Sequence, residues 1–370
     1  MGGALAALLG SRGVETVVLE RTTEPHGTPR AAHLDGEALR ILDTAGASVA
    51  HLGRPLDGFD LVDRRGRLLL RGRPAQTPPP GYPPGVLVYQ PDVEQAVRRR
   101  LDALPTVEVR LGRTVTDVRE RGGVVTVEGT GPGGTFETKA AVVVGCDGAR
   151  SAVRDAMGAA LDGGRFEQAW LVVDAVLPRP ALDGLPRRLL QIADPDRPTT
   201  YVPFPDPRRR WEFRLRPGER AGDLERPEVV RALLRPHLPG VDLGAVEIER
   251  AAVYTFHDLV ARRWRVGRRV LAGDAAHQMP PFLGQGLGAG LRDAWALAPL
   301  IARVVGGAEP TTLDAYEAAR RPHVEATVRQ AVRLGRLVTL PAPLARVRDA
   351  VLRAGWRVPA LRRRLLDVRG

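Results

Sequence analysis

Residues 273–290 read Gly-Asp-Ala-Ala-His-Gln-Met-Pro-Pro-Phe-Leu-Gly-Gln-Gly-Leu-Gly-Ala-Gly, directly after a short strand pattern, Arg269-Val270-Leu271-Ala272. An acid at the end of a buried strand, here Asp274 after Gly273, can accept a hydrogen bond from a ribityl or ribose hydroxyl. Pro280 and Pro281 fix the chain beside it, because proline locks φ. Gly284, Gly286 and Gly288 then strip side chains from the start of a helix, leaving free N–H groups that can meet an electron-rich carbonyl of a ring system. An ordinary Gly/Pro loop does not account for all three features at this spacing.

Two further segments point the same way. Val142-Val143-Val144 reads as a strand buried on both faces, and it runs into Asp147-Gly148-Ala149-Arg150-Ser151-Ala152-Val153-Arg154. A carboxylate at a strand end, then Gly and a helix carrying Ser and two Arg, suits a site near phosphates or a nicotinamide dinucleotide. A helix N-terminus capped by Asp147 is the plainer alternative. At the start of the chain Ala4, Leu5, Leu8 and Leu9 form a helical stripe. Arg12-Gly13 ends it, and Val14–Leu19 forms a strand ending in Glu20. This is the closing part of a Gly-x-Gly-x-x-Gly dinucleotide fingerprint, with Gly2 as its last glycine and Glu20 placed for a ribose 2′-OH.

The intervening sequence is helical at Gly36–Ala45, behind an N-cap at Asp35, and at Tyr89–Leu104, where Asp92 and Gln95 have capping-box spacing. Strands follow at Val107–Leu111, Val115–Arg121, Val124–Thr130 and Phe136–Val144. Between 166 and 256 the texture changes to strands separated by Pro/Asp turns: Trp170–Leu177, Arg188–Ala193, Thr199–Phe204, Arg210–Leu215 and Val246–Phe256, with a helix at Pro227–Leu238. Leu291–Val305 and Leu313–Leu334 are long helices, and 342–370 is a basic helical tail. The fold class is therefore α/β: a Rossmann-like dinucleotide-binding domain built from 1–165 and 257–335, an inserted, mostly antiparallel substrate sheet at 166–256, and a helical tail at 336–370.

Composition narrows the function classes. The formal net charge is +12, yet all but one of the 55 basic residues are arginines, spread along the chain among 43 acids. A nucleic-acid binder gathers such charge on one face or arm, so no nucleic-acid partner is expected. No run of about 18 apolar residues occurs, so no membrane span is expected either. The single cysteine, Cys146, excludes a disulfide framework and a cysteine zinc cage and fits a cytoplasmic location. His277 has no second ligand at helical spacing, so no metal is expected.

Taken together, the 273–290 stretch and the Asp-Gly-x-x-Ser-x-x-Arg stretch resemble the FAD-dependent aromatic hydroxylases of the para-hydroxybenzoate hydroxylase type. The branch resembled is that of 3-(3-hydroxyphenyl)propionate hydroxylase and the polyketide hydroxylases, over Gly2 to about residue 335. The resemblance implies an enzyme that uses NADH or NADPH to reduce FAD, forms a flavin C4a-hydroperoxide with O2, and hydroxylates a small phenolic or polycyclic aromatic. It assigns cofactor contacts to Gly2, Glu20, Arg21, Arg30, Gln90, Asp147, Gly148, Arg154, Gly273, Asp274, Pro280, Gly284, Gly286 and Leu287. A homodimer is compatible with it. A Baeyer–Villiger or epoxidising reaction on the same scaffold and a non-catalytic, flavin-free paralogue remain open.

The substrate falls to the inserted sheet and the loop beside it, with Tyr201, Trp211, Phe213, Pro281 and Phe282 as candidates. Trp211 and Phe213 share one strand face and Glu212 takes the other; the two aromatics either wall a pocket or pack the sheet against a helix. Tyr254 and His257, at the end of a substrate-sheet strand, are the candidates for acid/base work, against a packed tyrosine and a satisfied histidine. The chain departs from the family pattern where it opens inside the fingerprint, without the first strand and first two glycines, which predicts weak FAD binding. It departs again at Gly288, where the family often has Asn, and in its short C-terminal region.

Overall fold

The computed structural model describes residues 1–24, 27–73, 77–361 and 368–369. In chain order the main elements are α1 (Gly2–Gly10), β1 (Thr16–Glu20), β2 (His33–Asp35), α2 (Gly36–Thr44), β3 (Phe59–Val62), β4 (Leu68–Arg73) and α3 (Gln90–Asp102). Next come β5 (Val107–Leu111), β6 (Thr114–Arg121), β7 (Val124–Gly131), β8 (Gly134–Ala140), β9 (Val143–Gly145), α4 (Ala152–Ala156), β10 (Leu161–Val176), β11 (Leu189–Ile192) and β12 (Thr199–Val202). The rest are β13 (Arg208–Arg214), α5 (Pro227–Leu234), β14 (Glu247–Ala261), β15 (Arg269–Leu271), β16 (His277–Gln278), α6 (Gly286–Val305), α7 (Asp314–Val338) and α8 (Ala342–Arg357).

The N-terminal helix forms because its apolar residues have somewhere to go. Residues Ala4 to Gly10 are buried, and α1 packs against α6 and α3. Asp35 caps α2 as its sequence position predicts, accepting from Ala38 N–H at 2.9 Å. The capping box at Asp92 and Gln95 does not form. Helix α3 starts two residues earlier with Pro91 in its first turn, so Asp92 lies inside the helix and supports it only by its charge near the dipole.

Outside the large sheet, the parallel strands fall into two ladders that do not hydrogen-bond one another: β1 with β5, and β9 with β15. Accordingly Val142, Val143 and Val144 are half-buried, not enclosed on both faces, and Val17 of β1 is 41% exposed. The single strand expected over Phe136–Val144 is two strands. Its first part closes a β6–β7–β8 meander, and its second turns away to pair parallel with β15. Both parts satisfy the same alternation pattern, so only the choice of ladder partner separates them.

The inserted sheet has nine strands in the order β16-β14-β10-β13-β12-β11-β3-β4, closed by Val368–Arg369. Strands β3 and β4 come from the first block of the chain, a stretch in which the periodicity gives no strand signal; β3 pairs parallel with β11. The sheet's two faces are chemically distinct. One carries Leu171, Val173, Tyr201, Trp211 and Phe213 into an apolar layer with Val230 and Leu234 of α5. The other carries Trp170, Asp174, Arg210, Glu212 and Arg250, and Arg210 there reaches the carbonyls of Pro29 and Arg30. Among the described residues no helix is long and apolar enough to cross a membrane.

Candidate cofactor site

Two glycine turns meet the N-terminus of α1. A Cβ on Gly2 would lie 3.2 Å from Cβ of Cys146, so the helix approaches the end of β9 more closely than most side chains sit. Burial pushes the Cys146 thiol up to about 12, which leaves it a packing residue and not a nucleophile. Gly148 and Gly273 take positive φ, 78° and 61°, and turn the chain away after β9 and β15.

These turns are held by two buried groups. Arg154 donates to the carbonyls of Ala149 at 2.8 Å and Ala275 at 3.3 Å, fastening the Asp147–Gly148 turn to the Gly273–Asp274 turn. It therefore acts through the backbone of both motifs. Asp293 of α6 is fully buried. It accepts from Gly273 N–H at 3.0 Å, from Arg320 Nε at 2.9 Å and from His277 Nε2 at 2.6 Å. Burial alone would raise the pKa of Asp293, but His277, Arg320 and the Gly273 N–H hold it below the ordinary carboxylate range. Neither Asp293 nor Arg320 stands out in the sequence, since each is one charged residue on a helix. Their signal is the pairing of distant helices, which no local pattern carries.

Asp274 is accessible, yet protein surrounds it closely enough that desolvation raises its pKa, against the pull of His277, Arg30 and the N-terminal amine. An exposed acid walled by protein lies in a cleft. Asp147 is also exposed, and one of its oxygens accepts from Val153 N–H at 3.2 Å; Ser151 provides the N-cap of α4. Glu20 ends β1 and turns one oxygen onto Thr22, accepting from its N–H at 2.9 Å and its hydroxyl at 3.1 Å. The other oxygen remains for a ligand hydroxyl. Arg21 is exposed beside it.

Gln90 is committed to protein. Its Oε1 accepts from the N–H groups of Arg30 and Ala31 at 2.9 and 2.7 Å, and its amide donates to Glu94. Arg210 donates to the carbonyls of Pro29 and Arg30 from the other side, at 2.5 and 3.0 Å. The loop is thus clamped through its backbone while the Arg30 side chain stays exposed. Pro280 is buried and Pro281 half-buried. Gly284 has φ 65° and packs on His33, whose pKa burial lowers. Open space surrounds Gly286 at the start of α6, where no side chain caps the helix and Leu287 is half-buried.

The substrate candidates divide differently from the sequence reading. Tyr201, Trp211 and Phe213 face the α5 layer, and Tyr201 spends its hydroxyl on Pro186 O at 3.1 Å. They pack the sheet and do not wall a cleft, because α5 covers the strand face that they share. Phe282 packs edge-on against Phe166 and Trp170, sealing the seam between the sheet and the loop that leads into α6. Tyr254 lies opposite Trp170 on the seam face and is 37% exposed. His257 follows it at odd spacing, opposite Glu167, and the two are not brought together.

The sequence that builds these turns matches one family model, the FAD-binding domain, over residues 1–331. The chain belongs to this FAD-binding family. It is 37% identical to a 3-(3-hydroxy-phenyl)propionate/3-hydroxycinnamic acid hydroxylase of Mycolicibacterium smegmatis, covering 100% of this chain and 65% of that protein. It is 38% identical to a probable NADH-specific resorcinol 4-hydroxylase of Rhodococcus jostii, covering 94% of this chain and 66% of the relative. The chain thus spans about two thirds of the length of these relatives. The crystal structure of p-nitrophenol 4-monooxygenase PnpA from Pseudomonas putida DLL-E4 superposes with a TM-score of 0.86 at 28% identity, over 99% of this chain and 94% of that one. The residues present fit FAD: Glu20 and Asp274 are free to take sugar hydroxyls, and the space at Gly286 is one that a Cβ would enter.

Proposed function

We propose that this chain, loaded with FAD, is an NADH- or NADPH-consuming monooxygenase that hydroxylates a phenolic or polycyclic aromatic. The observation that carries the reading is the accessible Asp274, walled by protein and fastened through Gly273 to the buried Asp293, at the mouth of the uncapped helix α6. Bound FAD supplies the electron path from the nicotinamide to O2 and the oxygen transfer to the ring. Glu20 and Asp274 would hold its sugar hydroxyls, with the starts of α1 and α6 and the exposed Arg30 side chain available to its electron-rich and anionic groups. Phe166, Trp170 and Phe282 close the seam and keep water out. Tyr254, on the seam face, is the better placed of the two acid/base candidates.

The test is reconstitution with FAD followed by turnover of a phenol panel with NADH or NADPH under ¹⁸O2. One labelled oxygen on the ring of the product is the expected result. A labelled lactone or epoxide shifts the reading to ring insertion or epoxidation. Absence of FAD binding at micromolar concentrations favours the non-catalytic paralogue.

A further inference from the structure

Glu212 is the one charged group on the seam face of β13 that the protein leaves without a hydrogen bond. Along that face Arg210, Glu212 and Arg214 alternate. Arg210 is bonded to Asp174 at 2.7 Å and to the carbonyls of Pro29 and Arg30. Arg214 donates to Thr339 O, at the C-terminal end of α7, at 3.3 Å. Both neighbours therefore reach across the seam. Between them, among the described residues, no donor hydrogen-bonds the Glu212 carboxylate; its nearest charge is Arg210 at 3.8 Å, outside hydrogen-bond range. The side chain is only 9% exposed, and burial raises its pKa against the opposing pull of Arg210.

A buried carboxylate without donors carries a desolvation cost that a sheet of this kind could avoid with any apolar residue. Arg210 does not need it as a counter-ion, since Asp174 already answers both Arg210 and Arg250, each at 2.7 Å. The residues beside Glu212 on neighbouring strands are Val172 and Thr200. The Thr200 hydroxyl is turned away onto Gln191 Oε1 at 3.0 Å. The result is a lone acceptor between Val172 and a spent Thr200, at the seam that Trp170 and Phe282 close from one end.

We propose that Glu212 accepts a hydrogen bond from a ring hydroxyl of the substrate and so orients a hydroxylated aromatic in the seam. This rests on the hydroxylase reading above and names its substrate class: a ring that presents a hydroxyl donor to the sheet, with any anionic substituent directed away from Glu212. The trio Tyr201, Trp211 and Phe213 takes no part, being on the other face.

The test measures binding by calorimetry on the whole chain with FAD added, using resorcinol and its dimethyl ether as probes. The unsubstituted chain binds resorcinol more tightly than the ether. Glu212→Met weakens resorcinol about 10- to 100-fold, the range for a hydrogen bond to a charged group, and Glu212→Gln, whose amide oxygen still accepts, weakens it less. Both leave the ether and FAD within twofold and do not lower the melting temperature. Should Glu212→Met aggregate, Glu212→Leu removes the same acceptor and carries the same comparison. Equal loss of both probes, unchanged resorcinol affinity in both variants, or an unsubstituted chain that does not distinguish the probes overturns the assignment. Failure to bind FAD, with resorcinol still preferred over its ether, sinks the monooxygenase reading but supports the role of Glu212.

Discussion

Replacing Asp293 by alanine removes the acceptor of three buried contacts at once: Gly273 N–H, Arg320 Nε and His277 Nε2. The Arg320 side chain is only 10% exposed and would keep just the Ala289 carbonyl at 3.3 Å. Breaking a buried charge pair by deleting one partner costs about 3–5 kcal/mol. For a chain of this length the unfolding entropy is about 0.8 kcal/mol per kelvin, so the melting temperature should fall by roughly 4–6 °C. Because Gly273 N–H loses its anchor, the Asp274 turn loosens and FAD affinity falls with stability. The acid limb moves too. The folded pKa of Asp293 lies below its unfolded value, so its contribution is present above about pH 4 and is lost as pH falls through the lower, folded value. The alanine variant should therefore show a shallower loss of stability below pH 4. Thermal melts from pH 3 to 7 and a flavin-fluorescence titration check this. A variant melting within about 1 °C of the parent, with unchanged flavin affinity, would refute the claim that Asp293 braces the turn.

Other substitutions separate cofactor-binding from packing roles. Asp274→Ala should weaken FAD about 10- to 150-fold, since a charged acceptor is lost, and equilibrium dialysis reads it directly. Trp211→Ala opens the layer against α5 and should cost about 3–5 kcal/mol in denaturant unfolding while FAD affinity holds. A change in flavin affinity without loss of stability would contradict that placement. Gly284→Ala forces a Cβ to φ 65° and to within 3.3 Å of His33, so about 1–2 kcal/mol should be lost, measured by urea melts. Arg154→Met unties the two glycine turns and should lower both the melting temperature and flavin affinity.

The cofactor turns were legible in the sequence because their requirements are local. A glycine at positive φ after a strand, as at Gly148 and Gly273, and an acid following it are fixed within a few residues. So were Gly2, α2 with its Asp35 cap, and the alternation that puts Trp211 and Phe213 on one face and Glu212 on the other. What alternation does not fix is which face meets which layer. That was decided by α5 covering the aromatic face and by Arg210 reaching Pro29 and Arg30 across the seam, contacts between residues about 180 positions apart. The same holds for Phe136–Val144, whose two halves chose different ladders, and for β3 and β4, recruited to the sheet by the pairing of β3 with β11. Asp293 is the sharpest case: its burial beside Arg320 and His277 depends on α6 and α7 packing together, and a lone acid on a helix carries no mark of that in its neighbours. Local chemistry wrote the cleft into the chain, whereas long-range packing decided which charges would be buried and which would be left for a ligand.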